Sequence, residues 1–336
     1  MTDHNASMEA NMKITGTKFK YAFGRKATCV FAALLAFSVA ANAAAPAARQ
    51  TSFGSPEEAA SALIAAAKSG DAKLLLGVLG PDAKPIIQSG DAVADRAGLD
   101  RFVKAYEEAS KLEKFGDTKT VLAIGKDGWP FPIPLVKDAA GWRFDTKAGK
   151  EEILNRRIGR NELSTMQAAL AYVDAQREYY RANPQRDKLL HYAQKFVSTQ
   201  GQRDGLYYPT KADEPRSPLG ALYASARAAG YAKGEDKMDA AGKLPSYRGY
   251  HYRILKSQGP DAPGGAYDYI VQGRMIGGHA LIAWPAIYGN SGVMTFIVNH
   301  DGVVYEKDLG PGTAAAAQKI TKFNPDKTWK HVKEGV

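Results

Sequence analysis

Cysteine is almost missing: Cys29 is the only one in 336 residues, and it lies in an apolar run near the N-terminus. Beyond that run no thiol is left to close a disulfide, attack a substrate or ligate a metal. Histidine is scarce too. Among His191, His251, His279, His300 and His331 no two stand two, three or four residues apart, so no helix or strand offers paired imidazoles to one metal. Phosphate-loop signatures are absent: Gly264-Gly265 and Gly277-Gly278 fit neither Gly-x-Gly-x-x-Gly nor Gly-x-x-x-x-Gly-Lys. Charge of one sign is never gathered into a stripe. The formal net charge is +10, from 45 Lys and Arg against 35 Asp and Glu, and +3 of it falls in the first 43 residues. A surplus spread in this way disfavours a nucleic-acid partner. No metal and no cofactor are expected.

Long apolar stretches are confined to the N-terminal end. Lys18, Lys20, Arg25 and Lys26 precede an apolar run from Ala27 to Ala40, and Ala41-Asn42-Ala43 follows with small residues at the positions that signal peptidases read. Residues 1–43 therefore read as a secretory signal peptide. The run is shorter than the ~20 residues that span a bilayer, and an uncleaved anchor is the alternative reading. The expectation is a periplasmic or secreted protein without a stable membrane anchor after cleavage.

An Ala/Pro-containing linker over 44–54 leads into a predicted helix, with Ser55 as N-cap, Pro56 in the first turn and Gly70 as terminator. Asp71 caps a second helix that Gly80-Pro81 stops. The spacing of Phe102, Val103, Tyr106, Ala109 and Leu112 predicts a third over 99–114. Strands follow over 118–125, 130–136 and 141–145. Pro130, Pro132 and Pro134 cannot donate to a ladder, so the middle strand belongs at an edge or lacks full pairing. A long helix then runs over 148–181, with Gly159 a point at which it can kink and Pro184 as its stop. Shorter helices are predicted over 185–198 and 219–229. Strands over 247–255, 267–275, 279–285, 293–299 and 303–308 complete the chain, with a hairpin turn at Asn299-His300-Asp301-Gly302. This is an α+β chain in two parts. Helices plus an antiparallel meander form an N-terminal domain over 55–147, and a long helix plus an antiparallel sheet form a C-terminal domain over 148–336.

Three blocks carry a family resemblance: Gly249-Tyr250-His251-Tyr252-Arg253-Ile254-Leu255, Gly277 to Ala286, and Tyr288 to Asn299. With them the mature chain resembles an exported bacterial family known as domain of unknown function 2950, which implies an envelope protein and no assigned activity. The N-terminal order is similar to the cone-shaped nuclear-transport-factor-like fold. The C-terminal half is similar in outline to type IV pilin and pseudopilin globular domains, through Ala171 to Tyr180 and the hairpin Asp301 to Tyr305. It lacks the pilin's apolar half-helix and processing site.

Candidate chemistry is thin. Gly289-Asn290-Ser291-Gly292 has the form of a loop that presents a nucleophilic serine, and equally of an ordinary turn between apolar strands. Ser291, His279 and Asp301 are the residues a hydrolase would use. Tyrosines crowd the second half and interleave with arginines. Most are expected to fill the core, and Tyr207 and Tyr208, with Arg203 and Arg248, to form an exposed binding face. The favoured reading is a non-catalytic binding or assembly module for an envelope protein or a cell-wall polymer. The alternative is a periplasmic hydrolase or small-ligand-binding protein, using the glycine-rich β region or a cavity of the N-terminal domain.

Overall fold

A computed structural model describes residues 50–231 and 246–332. The predicted export signal and residues 44–49 of the linker lie outside the described residues.

Local capping sets the first helices. Helix α1 (Pro56–Ser69) begins where Ser55 Oγ accepts a hydrogen bond from the Glu58 N–H, and it ends at Gly70, whose φ of 68° suits a residue without Cβ. Helix α2 (Ala72–Leu79) starts on the Asp71 carboxylate, which accepts from the Lys73 and Leu74 N–H groups. A single-turn α3 (Lys84–Ile87) then leads to α4 (Ala92–Glu108). The helix predicted over 99–114 thus starts earlier, at the Asp91 cap, and ends earlier. Residues Ser110–Lys114 form strand β1 instead, and Leu112 pairs across it with Leu122. An apolar residue at helical spacing has been claimed by a strand partner.

The first sheet has the order β1-β2-β4-β5, with β2 at Lys119–Ile124, β4 at Leu135–Asp138 and β5 at Gly141–Phe144. The short β3 (Trp129–Pro130) also pairs with β2. The predicted proline-rich strand is therefore broken into two pieces on one side of β2, as the missing donors require. Ala59, Leu63, Leu75, Ile133, Leu135 and Phe144 form the core between this sheet and the first helices.

Helix α5 (Thr146–Ala182) is one element of 37 residues, uninterrupted at Gly159 and closed by Asn183 in the left-handed conformation with φ of 44°. No helix follows over 185–198. Gln176, buried in α5, donates to the Ala193 carbonyl and accepts from the Ala193 N–H, while the Tyr192 N–H donates to the Met275 carbonyl. These tertiary bonds take the backbone groups a helix would need. Helix α6 (Gly220–Ala228) matches expectation.

The second sheet is a meander. Strands β6 (Tyr250–Leu255), β11 (Ala280–Pro285), β12 (Met294–Asn299), β13 (Val304–Asp308) and β14 (Lys330–His331) lie in that order, all antiparallel. The expected strand over 267–275 resolves into two-residue pieces: β8 (Tyr267–Asp268) pairs with β7 (Ser257–Gln258), and β9 (Ile270–Val271) pairs with β10 (Arg274–Met275). Alternation along the meander sends Leu281, Ala283, Phe296 and Val298 towards Tyr172, Val173 and Tyr179 of α5. Ala280, Ile282, Trp284 and Ile297 face the other way, onto a core with Ala317 and Phe323. Ala317 belongs to α7 (Thr313–Lys319), a helix the sequence pattern did not announce. Arg253 closes it by donating to the Ala317, Gln318 and Ile320 carbonyls.

The two sheets are joined through polar clamps. Arg157 of α5 donates to the Pro85 and Ile86 carbonyls and to Asn290 Oδ1, and Asn290 Nδ2 donates to the Gln88 carbonyl. Nearby, the buried Asp91 accepts from the Gly249 N–H at 2.9 Å and from the Tyr231 hydroxyl at 2.8 Å.

Candidate functional site

Tyr207 and Tyr208 sit in an extended segment whose backbone pairs with residues 195–198: the Tyr207 N–H donates to the Phe196 carbonyl and the Ser198 N–H to the Tyr207 carbonyl. Extended backbone sends neighbours to opposite sides. Tyr207 therefore stays half-buried at the surface, whereas Tyr208 turns inward and is only 7% exposed. The expectation of two exposed tyrosines is corrected: Tyr208 is buried, and Tyr207 is only partly exposed and packs against the core of the second half. Arg203 covers the Tyr208 ring at 5.1 Å and pairs with Glu214 at 2.9 Å. The Lys211 N–H and then Arg203 hold the Glu214 carboxyl below the ordinary range.

Tyr207 acquires a different partner, Tyr223 of α6. The rings stack with centroids 4.3 Å apart and planes 6° apart, and the Arg227 guanidinium lies 5.2 Å from the Tyr207 ring. One turn beyond α6, Tyr231 packs edge-on against Tyr247 at 5.1 Å. Arg248 covers Tyr247 at 5.7 Å, from a left-handed backbone position with φ of 53°. Its N–H donates to the Tyr231 hydroxyl. Burial, and then Asp91, push the Tyr231 phenol well above the usual range, so it stays protonated and serves as a donor. The two ends of α6 thus carry tyrosine pairs, each capped by an arginine, and Arg227 and Arg248 are both exposed. Tyr172, Tyr179, Tyr250 and Tyr269 are fully buried, as expected of most tyrosines in this half.

The hydrolase candidates separate. His279 and His300 meet across the β11 and β12 ends, with ring centroids 6.1 Å apart, and Tyr172 and Tyr192 lie 5.4 and 4.7 Å from the His279 ring. His279 is fully buried, and among the described residues neither of its ring nitrogens has a hydrogen-bond partner. Burial, then His300 and Arg177, push its pKa down to about 3, so the imidazole is neutral at physiological pH. Asp301 lies 3.8 Å from His300 Nε2 and is fixed by two hydrogen bonds with Asn299 in the hairpin turn. Ser291 is at the other end of the same strand pair, across the six residues Ala280–Pro285, or ~20 Å at ~3.4 Å per residue. Its hydroxyl accepts from the Ile287 N–H and donates to the Ile287 carbonyl. Ser291 and His279 are not brought together. The Gly289-Asn290-Ser291-Gly292 turn instead holds the clamp to Arg157 and Gln88. Among the described residues no group of three or more His, Cys, Asp or Glu is arranged to hold a metal ion.

A feature the sequence pattern did not single out is a groove of about 430 Å³ in the first sheet, where the proline-split strand leaves β2. Val121, Pro130, Phe131 and Pro134 floor it, and Glu152 and Arg156 of α5 wall it. Trp129, 59% exposed, lies beside Arg156, whose guanidinium is 5.9 Å from the indole ring. Its available signals were the three alternating prolines and the i,i+4 spacing of Glu152, Arg156 and Arg160.

A family model described as protein of unknown function (DUF2950) matches residues 50–332, most of the chain. No curated protein and no solved structure matches it.

Proposed function

The chain belongs to the DUF2950 family of proteins of unknown function, and we propose that it is a non-catalytic exported module that binds a protein or cell-wall partner in the bacterial envelope. The observation that carries this reading is the pair of arginine-capped tyrosine contacts at the two ends of α6, Tyr207–Tyr223 under Arg227 and Tyr231–Tyr247 under Arg248. Half-buried tyrosines present area at low entropic cost, and exposed guanidinium groups fork to anions, which is the composition of interface hot spots. The N-terminal signal peptide read from residues 1–43 supports the envelope as the compartment.

The test is photo-crosslinking in cells from a benzoylphenylalanine placed at the exposed α6 positions 224 or 228, with a control at the exposed position 73 on α2. A discrete adduct from both α6 positions and none from the control supports the reading. For a polymer partner, purified cell-wall sacculi should sediment wild-type protein and release the Tyr223→Ala/Arg227→Ala variant. Absence of both adduct and sedimentation refutes the proposal.

A further inference from the structure

The groove in the first sheet shares no residue with the tyrosine pairs of α6, and its composition selects one class of ligand. The floor is apolar because the proline-split strand presents rings and methyl groups where a paired strand would run. The lining carries a net positive charge, from Lys119 and Arg156 against Glu152. Ala148, Glu152 and Arg156 of the lining lie one turn apart along α5, and Arg160, outside the lining, continues that row one turn further on. Lys119 lines the opposite side. Arg160 loses proton affinity through burial and then through repulsion from Arg101 and Arg156, so those two guanidinium groups stand within electrostatic reach of its own. Among the described residues no carboxylate pairs with Arg101 or Arg160. The one acid in the groove, Glu152, already accepts from Arg156 Nε at 2.7 Å. Cations held together on low-dielectric walls focus a field that draws an anion.

We propose that this groove binds an extended acidic polypeptide segment of a partner protein, with apolar side chains on Val121 and Phe131 and carboxylates on Lys119, Arg156 and Arg160. Guanidinium groups fork to carboxylates, and an exposed indole supplies a flat contact at the mouth. A peptide fits better than an acidic glycan. Sugar hydroxyls call for several unengaged amide or carboxylate side chains, and the lining offers only the engaged Glu152, while prolines, Val121 and Phe131 suit apolar side chains. At about 430 Å³ the groove lies in the ~300–1,000 Å³ range of ligand sites and holds a few residues of chain.

The experiment is fluorescence anisotropy on the mature chain with a labelled hexapeptide alternating glutamate and phenylalanine. Saturable binding that weakens as salt shortens the Debye length is expected, together with no binding of the matching lysine and phenylalanine peptide. Arg156→Ala/Arg160→Ala should weaken binding about 10-fold or more, and Trp129→Ala about 3-fold or more. Glu152→Gln should tighten it by releasing Arg156. Trp129 and Glu152 are exposed, so these single variants keep the test decisive even where circular dichroism shows the double variant misfolded. Full affinity in folded Trp129→Ala, or weaker binding in Glu152→Gln, overturns the site. Equal competition by polygalacturonate at equal carboxylate concentration overturns the peptide class. None of these outcomes touches the α6 surface, whose own test can fail or succeed independently.

Discussion

Removing Arg157 should loosen the attachment of the first sheet's helices to the second sheet. Its guanidinium donates to the Pro85 and Ile86 carbonyls and to Asn290 Oδ1, so one side chain satisfies acceptors from both halves. Arg157→Ala leaves those acceptors to water or to nothing. An unsatisfied buried acceptor costs ~1–3 kcal/mol, and a hydrogen bond from a charged donor is worth ~1.5–3. The site is only partly buried, so water recovers some of this. An expected loss of ~3 kcal/mol corresponds to about 5 °C in Tm for a chain of this size. Arg157→Lys should lie between the two, because an ammonium is a point charge and cannot fork to three acceptors. Differential scanning calorimetry at neutral pH reads all three proteins. If Arg157→Ala melts within about 2 °C of wild type, a loss of less than about 1 kcal/mol, the clamp carries no stability and the reasoning fails.

Three further outcomes are expected. N-terminal sequencing of the periplasmic or secreted protein should begin at Ala44, and a retained Met1 end in a membrane fraction would refute the cleaved signal. A fragment of residues 50–147 should melt cooperatively, because the buried members of its core lie between Ala59 and Phe144; a non-cooperative trace would show that the halves need one another to fold. For His279 the folded pKa of about 3 lies below the ordinary ~6.5 of the unfolded chain, so between those values the unfolded chain binds the extra proton and stability is lost as pH falls. His279→Phe, which keeps a ring among Tyr172 and Tyr192, should give a flatter stability curve in urea titrations from pH 6.5 to 4, and an unchanged slope would contradict the neutral buried imidazole.

The legible parts of the fold were those decided by near neighbours in the chain. Ser55, Pro56 and Gly70 bound α1 through contacts within a few residues, and the hairpin at Asn299 to Gly302 follows from turn chemistry alone. What was misread depended on partners far along the chain. Leu112 fits a helix until Leu122 pairs with it, and residues 185–198 fit one until Gln176 takes the Ala193 backbone. The site followed the same rule. An aromatic and basic surface could be read from the tyrosine and arginine content, but that Tyr208 is buried while Tyr207 stays half-buried depends on the pairing with residues 195–198. Trp129 and Arg156 are 27 positions apart, and only the placement of α5 beside the split strand brings them together.

Helix α5 sets a phase as well as a distance. Its 37 residues extend roughly 55 Å at ~1.5 Å per residue, and two of its polar anchors are five positions apart. Arg157 grips the Pro85 and Ile86 carbonyls, while Glu162 accepts from the Val293 and Met294 N–H groups at the start of β12. A helix advances ~100° per residue, so inserting a single residue between them would swing one anchor about a quarter of a turn relative to the other. Neither sheet could then keep its grip without losing the core it packs against. The five-residue interval works like the keyway of a shaft: its length keeps the two grips in phase, and Asn161 inside it adds a third by donating to the Ser291 carbonyl.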